Sequence, residues 1–343
     1  MNKSSWRSPS NIALVKYWGK YDPQLPANPS LSFTLKESYT ETTLELLGES
    51  TSEDFDFDIF LDSVKTDSFK PKIKQFLQRI EKDLDFLKGR RFNIETYNSF
   101  PHSSGIASSA SGMSALALNL LSLSPEGKNL SQEAFFRKAS EWSRLGSGSA
   151  SRSVFGPLGL WGKTAGIAES SDEYAIPYQG KVDSVFTSFR DTILLVETGQ
   201  KAVSSTAGHG LMNGHPFAAE RFKQAHRNMA DLQDILAQGD LAAFGELVES
   251  EALTLHAMMM SSRPYFILMK PGSLEIIEKV WHWRRETRKP MYFTLDAGAN
   301  VHLLYPEAIE QEALEFVNSS LKGHLKNGAY ICDQVGNGPT PLT

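Results

Sequence analysis

Cysteine is almost missing from this chain: Cys332 stands alone among 343 residues. A single thiol excludes an internal disulfide and a thiolate metal cluster within one chain, and it points to a reducing compartment. No apolar run approaches bilayer-spanning length, and Met1 to Pro9 carries charge and polarity without the apolar core of a secretion signal. Both absences lead to the expectation of a cytoplasmic protein. Positive charge is not in excess either, with 35 Lys and Arg against 40 Asp and Glu and a formal net charge of −5. That balance argues against a general electrostatic grip on nucleic acid or an anionic membrane, and it leaves room for a local basic pocket facing an anionic metabolite. Signature loops are lacking too: there is no Walker sequence, no dinucleotide fingerprint and no Gly-x-Ser-x-Gly elbow. The eight histidines show no metal-ligand spacing with a carboxylate partner, so no zinc site is expected.

What is there suits a soluble globular chain, with 41% hydrophobic residues and a length that fits one large domain or two fused ones. Ile12–Val15, Leu31–Leu35, Thr40–Leu47 and Arg91–Thr96 read as strands, and Lys70–Leu87 as a charged amphipathic helix. Met113, Leu116, Ala117, Leu120 and Leu121 recur at one-face helical spacing, and Phe135–Trp142 also looks helical. Val154–Trp161 and Asp191–Glu197 resume as strands. Long helices then follow around Phe222–Leu236, Leu241–Leu255 and Leu274–Arg285, with strands at Met291–Leu295 and Val301–Tyr305. Strands and helices interleave without strict alternation, which predicts an α+β fold. A soft boundary at Ser184–Asp191 divides the chain into residues 1–187 and 188–343.

Polar islands interrupt this core-like pattern. The run Ser99-Phe-Pro-His-Ser-Ser-Gly-Ile-Ala-Ser-Ser109 enters the first apolar helix, where unpaired N–H groups and the positive helix end favour an anion. Gly105, Ile106, Ala107, Ser108 and Ser109 are the phosphate-holding candidates, although a plain Gly/Ser connector explains the run equally well. Lys16-Tyr17-Trp18-Gly19-Lys20 places two ammonium groups and a phenol around a glycine, as phosphate oxygens require. Gly146-Ser147-Gly148-Ser149-Ala150-Ser151-Arg152 combines close backbone approach and hydroxyls with a guanidinium that can grip a carboxylate or phosphate. Ser204-Ser205-Thr206 reads as a helix cap or an anion contact, and Asp296, before Ala-Gly-Ala-Asn300, as a turn former or an active carboxylate.

Taken together and in this order, the islands resemble the diphosphomevalonate decarboxylase family of the GHMP kinase superfamily. The stretches that carry the resemblance are Asn11–Lys20, Asn28-Pro-Ser-Leu-Ser32, Phe100–Ser109, Gly146–Arg152, Ser204–Thr206 and Thr294–Asn300. The resemblance implies a GHMP-kinase-type amino-terminal α+β domain with a phosphate loop, packed on a ferredoxin-like carboxy-terminal domain, often as a homodimer. It implies the conversion of diphosphomevalonate and ATP, with Mg2+, into isopentenyl diphosphate, ADP, phosphate and carbon dioxide, with no nucleic-acid or membrane partner. Asp296, Lys16 and Arg152 are the implied catalytic residues. Tyr17, Trp18, Gly19, Lys20, Ser147, Gly148, Ser149, Ala150, Ser151, Ser205 and Thr206 are implied around the substrate, and Gly105 to Ser109 around ATP.

The chain departs from the family pattern in several places. Ser151 replaces a usual cysteine, Ala299 a usual proline, and Lys72 is a poor match for an arginine that helps to hold diphosphate. After Thr206 the family typically reads x-Gly-Met, whereas here the sequence is Ala207-Gly-His-Gly-Leu-Met212. A decarboxylase for monophosphorylated mevalonate, a kinase of the same tertiary hydroxyl, and a non-catalytic ligand sensor remain as alternatives on the same fold.

Overall fold

The computed structural model describes residues 2–101, 106, 108–199 and 205–342, apart from the side chains of Ser205 and Thr206. Serine-rich sequence disguises the first strand, β1 (Lys3–Ala13), which the sequence places only at Ile12–Val15. The hydroxyls of Ser5, Ser8 and Ser10 are satisfied sideways, which lets these polar residues sit in a covered sheet. Ser5 Oγ pairs with Thr43 Oγ1 at 2.8 Å, and Ser10 Oγ donates to the Ile106 carbonyl at 2.6 Å. The two strands expected at Leu31–Leu35 and Thr40–Leu47 are one, β2 (Ser30–Glu49). The polar interval between them stays in the strand because the Asp333 carboxylate accepts the backbone N–H groups of Lys36, Glu37 and Ser38.

The first sheet continues with β3 (Asp56–Leu61) and β4 (Arg90–Asn98), and β5 (Leu158–Trp161) with β6 (Ala175–Pro177) extend it from β2. Strand β5 is shorter than the expected Val154–Trp161, since Gly148–Val154 is a 3-10 segment. Helix α1 (Lys70–Arg79) likewise stops before Leu87, where two 3-10 turns take over. Helix α2 (Ser108–Leu123) is buried nearly all round, between the sheet and α3 (Gln132–Gly146). Such a helix is central rather than amphipathic.

The second sheet is antiparallel. Strand β7 (Arg190–Leu194) lies between β9 (Val301–Tyr305) and β10 (Tyr330–Gln334), and β8 (Tyr292–Thr294) pairs on the far side of β9. The short α4 (Ser205–Gly210) precedes α5 (Ala218–Gln238), α6 (Leu241–Met260) and α7 (Pro271–Thr287). Helix α7 closes a core of Ile276, Ile277, Val280, Phe293 and Leu303. Another core joins the two halves, with Ile12 and Phe33 of the first sheet packed with Phe189, Met229 and Phe244. A last strand, β11 (Thr340–Pro341), returns to pair with Trp6 and Arg7 of β1. Among the described residues, no helix is long and apolar enough to cross a membrane.

Candidate active site

A cavity of about 610 Å³ opens between the two halves. Its floor is set by Lys16, three residues beyond the end of β1. The Lys16 side chain is buried, and its Nζ donates to Asp296 Oδ1 at 2.9 Å. The lysine backbone is pinned from both sides. Its N–H donates to Glu251 Oε2 at 2.8 Å, and its carbonyl accepts from Asn28 Nδ2 at 3.0 Å and Arg221 Nη2 at 3.3 Å. Glu251 and Arg221 are themselves a fully buried ion pair between α6 and α5, which makes two bonds of 2.5 and 2.8 Å. A buried ion pair of this kind adds little net stability, but it fixes geometry. Asp296 follows β8, and its carbonyl accepts from His256 Nε2 at 3.2 Å and from the Gly298 N–H at 2.7 Å.

Arg152 enters from the 3-10 segment and is buried. Its Nε donates to Ser32 Oγ at 3.1 Å and its Nη2 to Asn11 Oδ1 at 3.2 Å, while its buried Nη1 has no hydrogen-bond partner among the described residues. Burial lowers its guanidinium to about 10, against the pull of Asp296 and Tyr17. Even so, it keeps its proton at neutral pH. An uncommitted charged donor in a dry cleft calls for an anion. Tyr17 packs edge-on to Trp161 at 4.7 Å, and burial pushes its phenol up. A Cβ on Gly148 would lie 2.8 Å from both the Tyr17 hydroxyl and the Trp161 ring, so this close approach needs glycine. Burial lowers the ammonium groups of Lys20 and Lys72, helped by Arg79 for Lys20 and by Lys20 for Lys72. Both line the cavity.

The structure therefore brings Lys16, Tyr17, Trp18, Lys20, Ser147, Gly148, Ser149, Arg152 and Asp296 to one cavity, with Ser108 and Ser109 at the start of α2. Gly19 contributes its backbone instead, at a φ of +96° that glycine tolerates, and its N–H donates to His209 Nδ1 at 3.0 Å. Ala150 and Ser151 turn into the core: both are fully buried, and Ser151 Oγ donates to the Gly148 carbonyl at 2.8 Å. Ile106 is also buried, with its carbonyl accepting from Ser10. Gly105 and Ala107 lie outside the described residues, as do the side chains of Ser205 and Thr206.

Sequence reasoning missed three parts of the site. One is the Glu251–Arg221 brace, which looks in sequence like ordinary helix-surface charge. Another is His209, set aside with the other histidines. The third is the far end of the cavity, where Thr42, Ile59, Phe69, Ile94, Thr96 and Leu116 make a less charged wall. Neighbouring hydroxyls, such as the Thr42 Oγ1 and Thr96 Oγ1 pair at 3.1 Å, were the only available signal. Among the described residues, no group of three His, Cys, Asp or Glu side chains is arranged to hold a metal ion.

Comparison with known proteins agrees with this architecture. Residues 8–175 match the family model described as the diphosphomevalonate decarboxylase-like N-terminal domain, and residues 192–339 match the mevalonate 5-diphosphate decarboxylase C-terminal domain. The diphosphomevalonate decarboxylase of Danio rerio is 30% identical over 311 residues, covering 85% of this chain and 73% of that protein. A crystal structure of the mevalonate diphosphate decarboxylase of Staphylococcus aureus superposes with a TM-score of 0.85 at 28% identity, covering 100% of this chain and 98% of that one. A structure of MDDEF in complex with MVAPP, AMPPCP and magnesium gives a TM-score of 0.84 at 30% identity, with 99% of both chains covered. An α+β chain with a GHMP-kinase-type fold and this cleft belongs to the diphosphomevalonate decarboxylase family.

Proposed function

We propose that the chain catalyses the ATP-dependent decarboxylation of (R)-5-diphosphomevalonate to isopentenyl diphosphate, ADP, phosphate and carbon dioxide, a step of isoprenoid biosynthesis by the mevalonate route. The observation that carries this reading is the Lys16–Asp296 pair on the cleft floor beside the uncommitted Nη1 of Arg152. Hydroxide leaves a tertiary carbon badly. ATP therefore converts the hydroxyl to a phosphate ester, and phosphate departs with the C–O bonding electrons. The carboxylate's C–C bond supplies the electrons of the new alkene, and carbon dioxide is released.

In this reading Asp296 orients the tertiary hydroxyl and takes its proton as the O–P bond forms. The ammonium of Lys16 neutralises charge on the transferring phosphoryl group. Arg152 holds the substrate carboxylate or the adjacent phosphate through its free donor, and Tyr17, Lys20, Lys72, Ser147 and Ser149 surround the anionic ends. The nucleoside of ATP occupies the wall of Thr42, Ile59, Ile94 and Leu116. The hydroxyls of Ser108 and Ser109 are the neutral groups that would help to hold Mg2+ with the ATP phosphates, and the metal would offset phosphate charge there. The proposal extends to a division of the chain at residues 187 and 188, to Ser205 and Thr206 as substrate contacts, and to a cytoplasmic homodimer without nucleic-acid or membrane partners.

Arg152 favours decarboxylation over simple phosphorylation of the hydroxyl, because a pure kinase has less need of a carboxylate-facing cation. Carbon dioxide release measured with mevalonate, its 5-phosphate and its 5-diphosphate tests the reading. Release with the diphosphate and ATP is expected. Release only with the monophosphate, or ADP formation without carbon dioxide, would assign the chain to one of the sister activities.

A further inference from the structure

His209 lies on α4, in the stretch where this chain departs from the family's x-Gly-Met. Its ring lies against Tyr17, with centroids 4.3 Å apart, and against Trp18 at 4.6 Å. The residue is only 8% exposed. Helix α4 is pressed against Trp18, since a Cβ on Gly208 would lie 2.6 Å from the indole. One edge of the imidazole is committed, with Nδ1 accepting from the Gly19 N–H. A neutral imidazole carries one N–H, so this bond places the proton on Nε2. Among the described residues Nε2 has no partner. With two aromatic rings against the imidazole and its Nδ1 committed, the Nε2 N–H is the donor His209 brings to the cavity that also holds Lys16, Lys20 and Arg152.

Burial, reinforced by Lys20 and Arg152, pushes the imidazole down to about 3. The ring is therefore a neutral donor with a fixed tautomer at any working pH. A neutral N–H left uncommitted on a cavity wall is available to any acceptor that enters there. The cations around it draw anions to the same place.

From this arrangement we infer that His209 is a substrate-binding residue, donating from Nε2 to an anionic oxygen of the mevalonate-derived substrate. The inference rests on the function proposed above and adds a contact that the methionine usual at this position could not make. It also gives the Tyr17–Trp18 pair a purpose beyond packing, because the two rings hold the imidazole in the cavity wall.

The experiment uses the full chain. Long-range 1H–15N spectra of the wild-type protein should show His209 as the neutral Nε2–H tautomer at pH 6, and its Nε2 signal should shift on titration with mevalonate 5-diphosphate. A shift that also appears with unphosphorylated mevalonate assigns the contact to the carboxylate. A shift confined to the diphosphate assigns it to a phosphate. In kinetics, His209→Phe keeps an aromatic ring but removes the donor, and it should raise KM for the diphosphate roughly ten- to hundredfold, with kcat falling far less and KM for ATP within about twofold. His209→Gln, which restores a donor near the Nε2 position, should recover to within about fivefold of wild type.

An Nδ1–H tautomer, or no Nε2 shift at saturation, overturns the inference even if a variant fails to fold. So does a His209→Phe enzyme within twofold of wild type, or a Gln variant as impaired as Phe when both melt like wild type. If wild type releases no carbon dioxide from the diphosphate, the parent reading fails instead, and the titration still reports on His209 by itself.

Discussion

The two ends of the cleft are built on different principles. Around Lys16, Arg152 and Asp296, most polar atoms have partners before any substrate arrives: the Lys16 backbone is held by Glu251, Asn28 and Arg221, and its ammonium by Asp296. Around Thr42, Ile59, Ile94 and Leu116 the wall is aliphatic with scattered hydroxyls. Preorganised charge suits a site that must stabilise developing charge, since nothing needs to reorient during the reaction. An apolar slot suits a flat ring, which it selects by shape and by the exclusion of water. Damage at the first end should therefore appear in turnover, and damage at the second in nucleotide affinity.

The largest test of that contrast is Asp296→Asn. Turnover should fall by a factor of about a thousand or more while ATP binding stays within about threefold, as read by single-turnover carbon dioxide release and by nucleotide titration. A variant within threefold of wild type would remove Asp296 from the chemistry. Next comes Arg152→Lys, which keeps a charge but loses the planar fork that reaches Ser32 and Asn11. A drop of about a hundredfold in kcat/KM for the diphosphate, with a normal melting curve, is expected. Collapse of the fold would make Arg152 a structural residue.

At the opposite end, Thr96→Phe should crowd the slot and raise KM for ATP about tenfold, leaving KM for the diphosphate almost unchanged. Equal effects on both substrates would erase the distinction between the ends. The smallest expected effect concerns pH. His209 is held near 3 when folded, against 6.5 when unfolded, so between those values the unfolded chain binds more protons. Stability from this group is complete above about pH 6.5 and is lost as the pH falls, by about 2 kcal/mol at pH 5. Chemical denaturation at pH 7 and pH 5 should show that His209→Gln loses less stability over this interval than wild type does.

The same contrast explains what could be read from sequence. Lys16–Lys20, Gly146–Arg152 and Asp296–Asn300 are contiguous runs, each following closely on a regular element, so several sequence neighbours in each remain neighbours in the cleft. The far wall draws Thr42, Ile59, Ile94 and Leu116 from four elements, and each looks locally like ordinary core. No single stretch reveals that they surround a space. The Glu251–Arg221 brace was hidden for a related reason, because a charged residue on a helix normally faces water and only packing of α5 on α6 shows otherwise. Strand β1 was masked by chemistry: its serines break the hydrophobic alternation, and their partners Thr43 and Ile106 lie far along the chain. The α+β organisation and the long carboxy-terminal helices were legible because their periodicity is strong and local.

The pairing of Thr340–Pro341 with Trp6 and Arg7 brings β11 back to the edge of β1. Together with the Asp333 carboxylate that clasps residues 36–38, this strap ties the late part of the chain across to the early sheet. The two halves are thus joined by main-chain pairing as well as by their shared core. Swinging the two halves apart would have to break the Thr340–Pro341 pairing and the Asp333 contacts.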